Sequence, residues 1–274
     1  MIRSYFGLTR NPFTGENISL LPHQQTIFDT IRVHCQQGGL CLVLGEPGTG
    51  KTVLKESLKT FDQKRLITPT VSRTLHTYFN TIKILSSAFG IDFEGCAFRC
   101  EKRLIEEAFR LNHLGKMIAP IIDDAHLMDI DCLRKLRLLF EDFPKNHNLI
   151  LIGQPTLLST ISLTNNEDIK SRITYSVVMQ KIAPDDMEAW IMSEFDKAGL
   201  GHNTLTQEAL ALIVRSAEGV IRRARNLSLA CLLEAIKDQT KTIDLKQVNS
   251  VLIQPHWRNN HDLDQIGYTT GKKS

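Results

Sequence analysis

The 274-residue chain has no long hydrophobic run: no stretch approaches the ~20 consecutive apolar residues that a membrane-spanning helix needs. Its start, Met1-Ile-Arg-Ser-Tyr-Phe-Gly7, lacks the apolar segment of a secretion signal. The expectation is a soluble, cytoplasmic protein with no membrane contact. An excess of one charge is missing too. The net charge of +3, from 33 Lys and Arg against 30 Asp and Glu, does not by itself argue for nucleic acid, so local clusters must be weighed instead. Cys96 and Cys100 form a lone C-x3-C with no second Cys or His pair at zinc spacing, which argues against a metal-stapled fold and for reduced thiols. There is no internal repeat and no low-complexity tract.

What is present is an alternation of short apolar runs with helical patterns. Leu40-Cys-Leu-Val-Leu44 is continuous and apolar, as expected of a strand buried on both faces in a parallel sheet. Further strands are expected at 66–71, 117–122, 149–152 and 173–179. Helices are expected at 23–37, about 51–61, from Leu75 to a stop at Gly90, 101–113 and 130–141. This predicts an α/β three-layer fold around a five-stranded parallel sheet. From Pro184 the strand pattern stops, and helices at 184–199, 206–217, 221–238 and 244–253 predict a small all-helical unit. The division is an N-terminal arm at 1–22 that packs its aromatic residues on a neighbouring body, an α/β domain at 23–182, a helical lid at 183–253 and a loosely ordered polar tail at 254–274.

The chemistry starts at the first strand. Gly45-Glu46-Pro47-Gly48-Thr49-Gly50-Lys51-Thr52 matches G-x-x-x-x-G-K-[ST] in full, between a strand and a helix that continues into Val53. Glycines let backbone N–H groups turn inward around phosphate oxygens, and the helix N-terminus adds its positive dipole end. Lys51 would reach the β- and γ-phosphates of ATP, and the Thr52 hydroxyl would hold Mg²⁺. The strand 117–122 ends in Asp123-Asp124. An acid there is costly without a task, and Asp123 would bind Mg²⁺ through water while Asp124 polarises the attacking water.

Phosphate loop, acidic strand, further strand and helical lid come in the order that resembles the AAA+ P-loop NTPase superfamily. The resemblance implies four more roles. Gln154, after the strand 149–153, resembles the first sensor. Arg172, before the last strand, resembles the arginine finger that completes a neighbouring subunit's site. Arg222, in the lid's Gly219-Val-Ile-Arg222-Arg223, resembles the second sensor, and His23 resembles the adenine-side segment. The family's second acid is usually glutamate, so Asp124 implies slow hydrolysis.

Tyr5-Phe-Gly-Leu8, Asn11-Pro-Phe13, Gly153-Gln-Pro155 and Gly219-x-x-Arg-Arg223-x-x-Asn226 look like the ATPase domain of the ExeA family, which recurs in transposition regulators of the TniB, TnsC and MuB type. Secretion-type members continue into a membrane span, and this chain's ending after the lid points to the transposition branch. That branch implies an ATP-dependent homo-oligomer, a ring or a helical filament, on duplex DNA. It would select the target and recruit or activate a transposase, with a target-selection protein as a further partner. An ExeA-like ATPase acting on a protein partner is the alternative. Candidate phosphate contacts to DNA are Lys102 and Arg103, and Arg134, Lys135 and Arg137, of which Arg134 and Arg137 share a helical face. A solvated helix face explains the same residues.

Overall fold

A computed structural model describes residues 1–14, 20–71, 77–92 and 96–257. The chain divides into two compact units, Ile18–Gln180 and a unit made of Met1–Asn17 with Lys181 onward. Helix α1 (Ile2–Phe6) opens the chain, followed by α2 (Pro22–Gln37), β1 (Gly39–Leu44) and α3 (Lys51–Thr60). Next come β2 (Leu66–Ile67), β3 (Thr70–Val71), α4 (Tyr78–Ala88), α5 (Ala97–His113), β4 (Met117–Ile118) and β5 (Ile121–Ile122). The α/β unit closes with α6 (Ile130–Glu141), β6 (Asn148–Gly153), α7 (Thr156–Ile161), α8 (Glu167–Lys170) and β7 (Ile173–Val178). The helical unit continues with α9 (Pro184–Ala198), α10 (Gln207–Ala217), α11 (Ile221–Lys237) and α12 (Leu245–Leu252).

The five-stranded sheet has the order β3-β5-β6-β1-β7, parallel throughout. Side chains of β1 alternate between two cores. Leu40, Leu42 and Leu44 pack with Leu133, Leu136 and Leu157 on one face, whereas Cys41 and Val43 pack with Ile31, Leu54 and Leu58 on the other. That alternation is the three-layer architecture expressed in one strand. Full burial of a leucine such as Leu42 contributes about 2 kcal/mol. Edge strand β7 instead alternates half-buried with exposed residues, as an edge with one covered face should.

The expected strands at 66–71 and 117–122 each appear as two pieces. The pairing continues across both breaks: Ala119 N–H donates to Ile67 O, Ile121 N–H to Pro69 O and Asp123 N–H to Val71 O. Pro69 and Pro120 carry no N–H, so each removes one rung of a ladder that otherwise holds register. The short helices α1, α7 and α8 have too few turns for a periodic signal and were not expected. Leu75, the expected start of the third helix, and the tail from 258 on lie outside the described residues.

In the helical unit, Phe13 packs on Trp190 and Phe195, with ring centroids 5.3 and 5.8 Å apart. Its N-caps are legible: Thr206 Oγ1 accepts from Ala209 N–H, and Asp244 Oδ1 accepts from Lys246 N–H. A Cβ on Gly219 would stand 2.8 Å from Ile182 O, so only glycine lets this turn close. The tail does not begin loose. Pro255–Trp257 form a helical turn, Trp257 is buried, and its carbonyl accepts from Arg223 Nη2 at 3.0 Å.

Candidate functional site

The C-terminal ends of three adjacent strands bring the expected residues together. Gly45 follows β1, Gln154 follows β6 and Asp123 follows β5. At ~4.8 Å per strand the three ends span about 10 Å, within the reach of a triphosphate. Ligands of open parallel sheets bind at this edge.

The loop is held in shape by bonds of its own. Gly45 N–H donates to Gly153 O, and Thr49 N–H and Oγ1 both donate to Glu46 O. A Cβ on Gly45 would stand 2.6 Å from Thr49 Oγ1, and Gly48 and Gly50 sit at φ 90° and 97°, where side chains are strained. Val53 and Leu54 N–H groups then donate to Gly50 O and start α3. Lys51 Nζ curls back to donate to Gly45 O (2.6 Å) and Glu46 O (2.9 Å), which holds its ammonium over the loop. Thr52 beside it is exposed.

Gln24 also shapes the loop and was missed from sequence. Its side chain is buried at 1 % exposure, donates from Nε2 to Thr49 O and accepts from Leu21 N–H. The segment ahead of α2 is thereby tied to the loop, with His23 half-buried in the same helical turn. The signal available was a glutamine three residues into a helix, the place from which a side chain reaches back to the N-cap.

Asp123 accepts from Lys55 Nζ at 2.7 Å through Oδ2 and from Asp124 N–H through Oδ1. Asp124 has left-handed backbone, φ 51° and ψ 38°, which aspartate tolerates better than most residues. Its half-buried carboxylate has no hydrogen-bond or ion-pair partner among the described residues. Gly153 lets the next turn approach: a Cβ there would lie 3.2 Å from His126 N. Gln154 is half-buried beside it, its backbone carbonyl used by Leu157 N–H. The Thr52 hydroxyl and Asp123 carboxylate are hard oxygen donors beside a phosphate cradle, a donor set that fits Mg²⁺.

Arg172 is not at this edge. It precedes β7, where Ile173 pairs with Leu40, so it lies level with the start of β1 and about 20 Å from Gly45 along the strand. Its Nε bonds Glu141 Oε1 at 3.1 Å, and Arg137 Nη1 bonds the same oxygen at 2.6 Å. These three residues line a cleft of about 290 Å³ with Phe140, Lys145 and His147. Burial holds the His147 pKa down at about 4.

The basic residues of α6 do not form a face of free cations. Arg134 bonds Asp168, Asp131, Asn166 Oδ1 and Asn165 O, and Arg137 lies against Glu141 and Asp168. The Arg134 guanidinium holds the Asp168 carboxyl below the usual carboxylate range. Lys135 Nζ sits 5.8 Å from the Tyr78 ring centroid. The periodicity showed the shared face but not the acidic turn that covers it. Lys102 and Arg103 on α5 are exposed and have no ion-pair partner among the described residues. On α11, Arg222 is exposed, whereas Arg223 is committed to Trp257 O and Glu218.

Comparisons with known proteins agree with this architecture. Residues 33–161 match the model of the AAA domain family. General secretion pathway protein A of Aeromonas hydrophila is 25% identical over 241 residues, an alignment covering 81% of this chain and 42% of the relative. The chain therefore spans about two fifths of that relative's length. Among solved structures, Cdc6p of Pyrobaculum aerophilum superposes with a TM-score of 0.68 at 16% identity, covering 88% of this chain and 68% of the other. The ORC1 protein of Aeropyrum pernix, solved in complex with DNA, gives 0.64 at 15% identity, with 86% and 66% covered. The fold is the AAA+ P-loop NTPase fold with a mostly helical remainder. No helix among the described residues is long and apolar enough to cross a membrane.

Proposed function

We propose that this chain is an ATP-binding, slowly hydrolysing AAA+ switch that assembles with copies of itself on DNA and regulates a transposase. The observation that carries the nucleotide half is the complete phosphate loop at the sheet edge shared with Asp123 and Asp124. Lys51 would leave two backbone carbonyls for the stronger acceptor, a phosphate oxygen. Thr52 and Asp123 would hold Mg²⁺, which when bound neutralises charge on the phosphate oxygens. Asp124, whose carboxylate has no partner among the described residues, would orient and polarise the attacking water, and Gln154 would contact the same water or the γ-phosphate. Arg172 lies too far along the sheet for its own loop, so in this reading it serves a neighbour's nucleotide and ties hydrolysis to assembly. In the same reading Arg222 reaches the nucleotide from the lid, and His23 lies beside the adenine.

The DNA half rests on motif resemblance and on a fold shared with a neighbour solved on DNA. Lys102 and Arg103 are its best-placed cations, and contacts from α6 recede because Arg134 and Arg137 are internally paired. The second reading, an ATPase of a secretion pathway acting on a protein partner, is favoured by the alignment with general secretion pathway protein A.

Fluorescent ATP-analogue binding and sedimentation on duplex DNA test these readings separately. Lys51→Ala should weaken nucleotide binding by at least a hundredfold; retained affinity overturns the site. ATP-dependent assembly on DNA at low salt supports the transposition reading. Absence of any DNA binding with ATP and Mg²⁺ present removes it and leaves the protein-partner reading.

A further inference from the structure

Lys55 has no part in the phosphate-loop motif, yet it forms an ion pair with the acid assigned to the metal. It lies one turn beyond Lys51 on α3, four residues on and so on the same helical face. Its Nζ stands 2.7 Å from Asp123 Oδ2, with side chains only 14% and 24% exposed, so water screens the pair weakly. The other carboxylate oxygen already accepts from Asp124 N–H. Glu56 offers Lys55 a second acid, with Oε1 3.8 Å from the same Nζ.

We propose that Lys55 acts as an internal counter-cation that occupies the Asp123 carboxylate before nucleotide arrives and sets the Mg²⁺ concentration at which the site fills. The inference rests on the assignment of Asp123 to the metal. An ammonium and a hydrated magnesium ion are cations competing for one carboxylate, and they repel each other across it. Metal entry therefore requires Lys55 to swing away, and its flexible four-carbon stem brings Glu56 within reach. In the empty site the pair keeps the partly buried carboxylate neutralised without a metal, so divalent ions alone bind weakly. With nucleotide bound, the phosphate charge favours the metal, and the ammonium is displaced.

The test uses the full chain and two probes, a fluorescent ATP analogue titrated with Mg²⁺ and Mn²⁺ followed by electron paramagnetic resonance without nucleotide. In Lys55→Met the Mg²⁺ midpoint for analogue binding should fall about tenfold, the size of effect one charge-assisted pair exerts. Nucleotide-free Mn²⁺ binding should tighten similarly, while analogue affinity in chelator stays as in wild type. Lys55→Arg, which keeps the charge, should behave as wild type. Glu56→Gln should raise the midpoint by removing the second acid, and it keeps the proposal testable if Lys55→Met fails to fold. An unchanged or raised midpoint in Lys55→Met overturns the proposal. So does an equal loss of affinity with and without Mg²⁺, which would make Lys55 a phosphate ligand. If wild type binds no analogue at all, the nucleotide reading fails, and the Mn²⁺ titration still decides whether Lys55 guards Asp123.

Discussion

The two ends of the central sheet hold their charges differently. At the C-terminal end, the motif lysine Lys51 donates to two backbone carbonyls, the Asp124 carboxylate has no internal partner among the described residues, and Lys55 is paired with the Asp123 carboxylate. At the N-terminal end, Arg137 and Arg172 share Glu141, and Arg134 is held by an acidic turn. Uncharged acceptors release a cation to a phosphate at small cost, whereas carboxylates compete with an incoming anion for it. The first end is prepared for a ligand within its own chain. The second is satisfied within its own chain, and under the proposed function a neighbour's nucleotide would have to displace Glu141 from Arg172.

Breaking each end tests that contrast. The largest effect is expected from Arg172→Ala, which should cut ATP turnover of the assembled protein at least about a hundredfold while leaving analogue affinity within about twofold. Equal loss of binding and turnover would place Arg172 in its own chain's site. Asp124→Ala should lower turnover by roughly ten- to hundredfold with binding intact, as loss of a general base does. Unchanged turnover would exclude Asp124 as the base. Asp124→Glu should raise turnover if the shorter side chain limits the rate, at a stability cost within about 1 kcal/mol for the left-handed backbone.

Arg134→Ala should act at the quiet end. The melting temperature should drop by several degrees as Asp168, Asp131 and Asn166 lose their partner, with DNA affinity unchanged at matched salt. A selective loss of DNA binding would return α6 to the interface. The smallest effect concerns His147. Its folded pKa is depressed from 6.5 to about 4, so below pH 6.5 the unfolded chain binds the proton more readily and stability falls until about pH 4. The full linkage value is about 3 kcal/mol, of which about 2 kcal/mol is lost between pH 7 and pH 5. Denaturant melts at pH 7 and pH 5 should show this loss in wild type and not in His147→Gln; parallel losses would exclude His147 as the cause.

Much of the fold was legible because its signals are local. Apolar runs marked β1 and β6, and glycine placement marked the loop, since a cradle built from backbone N–H groups must be written in residues without side chains. The prolines were visible too, but their effect on the strands was not. Whether Pro69 and Pro120 end a strand or only remove a rung depends on the neighbouring strand, which here keeps its register across the gap.

The sequence by itself determined where the phosphate-loop motif and the strand-terminal acids lie, and that strands would alternate with helices before a helical end. Both follow from short-range spacing: loop glycines, a strand-terminal acid, and periods of 2 and 3.6 residues. Tertiary structure alone decided how the long charged side chains are spent. Lys55 meets an acid 68 residues away and Arg134 one 34 residues away. Gln24 reaches a carbonyl 25 residues on. A helical period gives the direction of a side chain but not what comes to lie opposite it, so Arg134 and Arg137, candidates for DNA by their shared face, proved to be paired within the fold, and the lysine paired with Asp123 went unread.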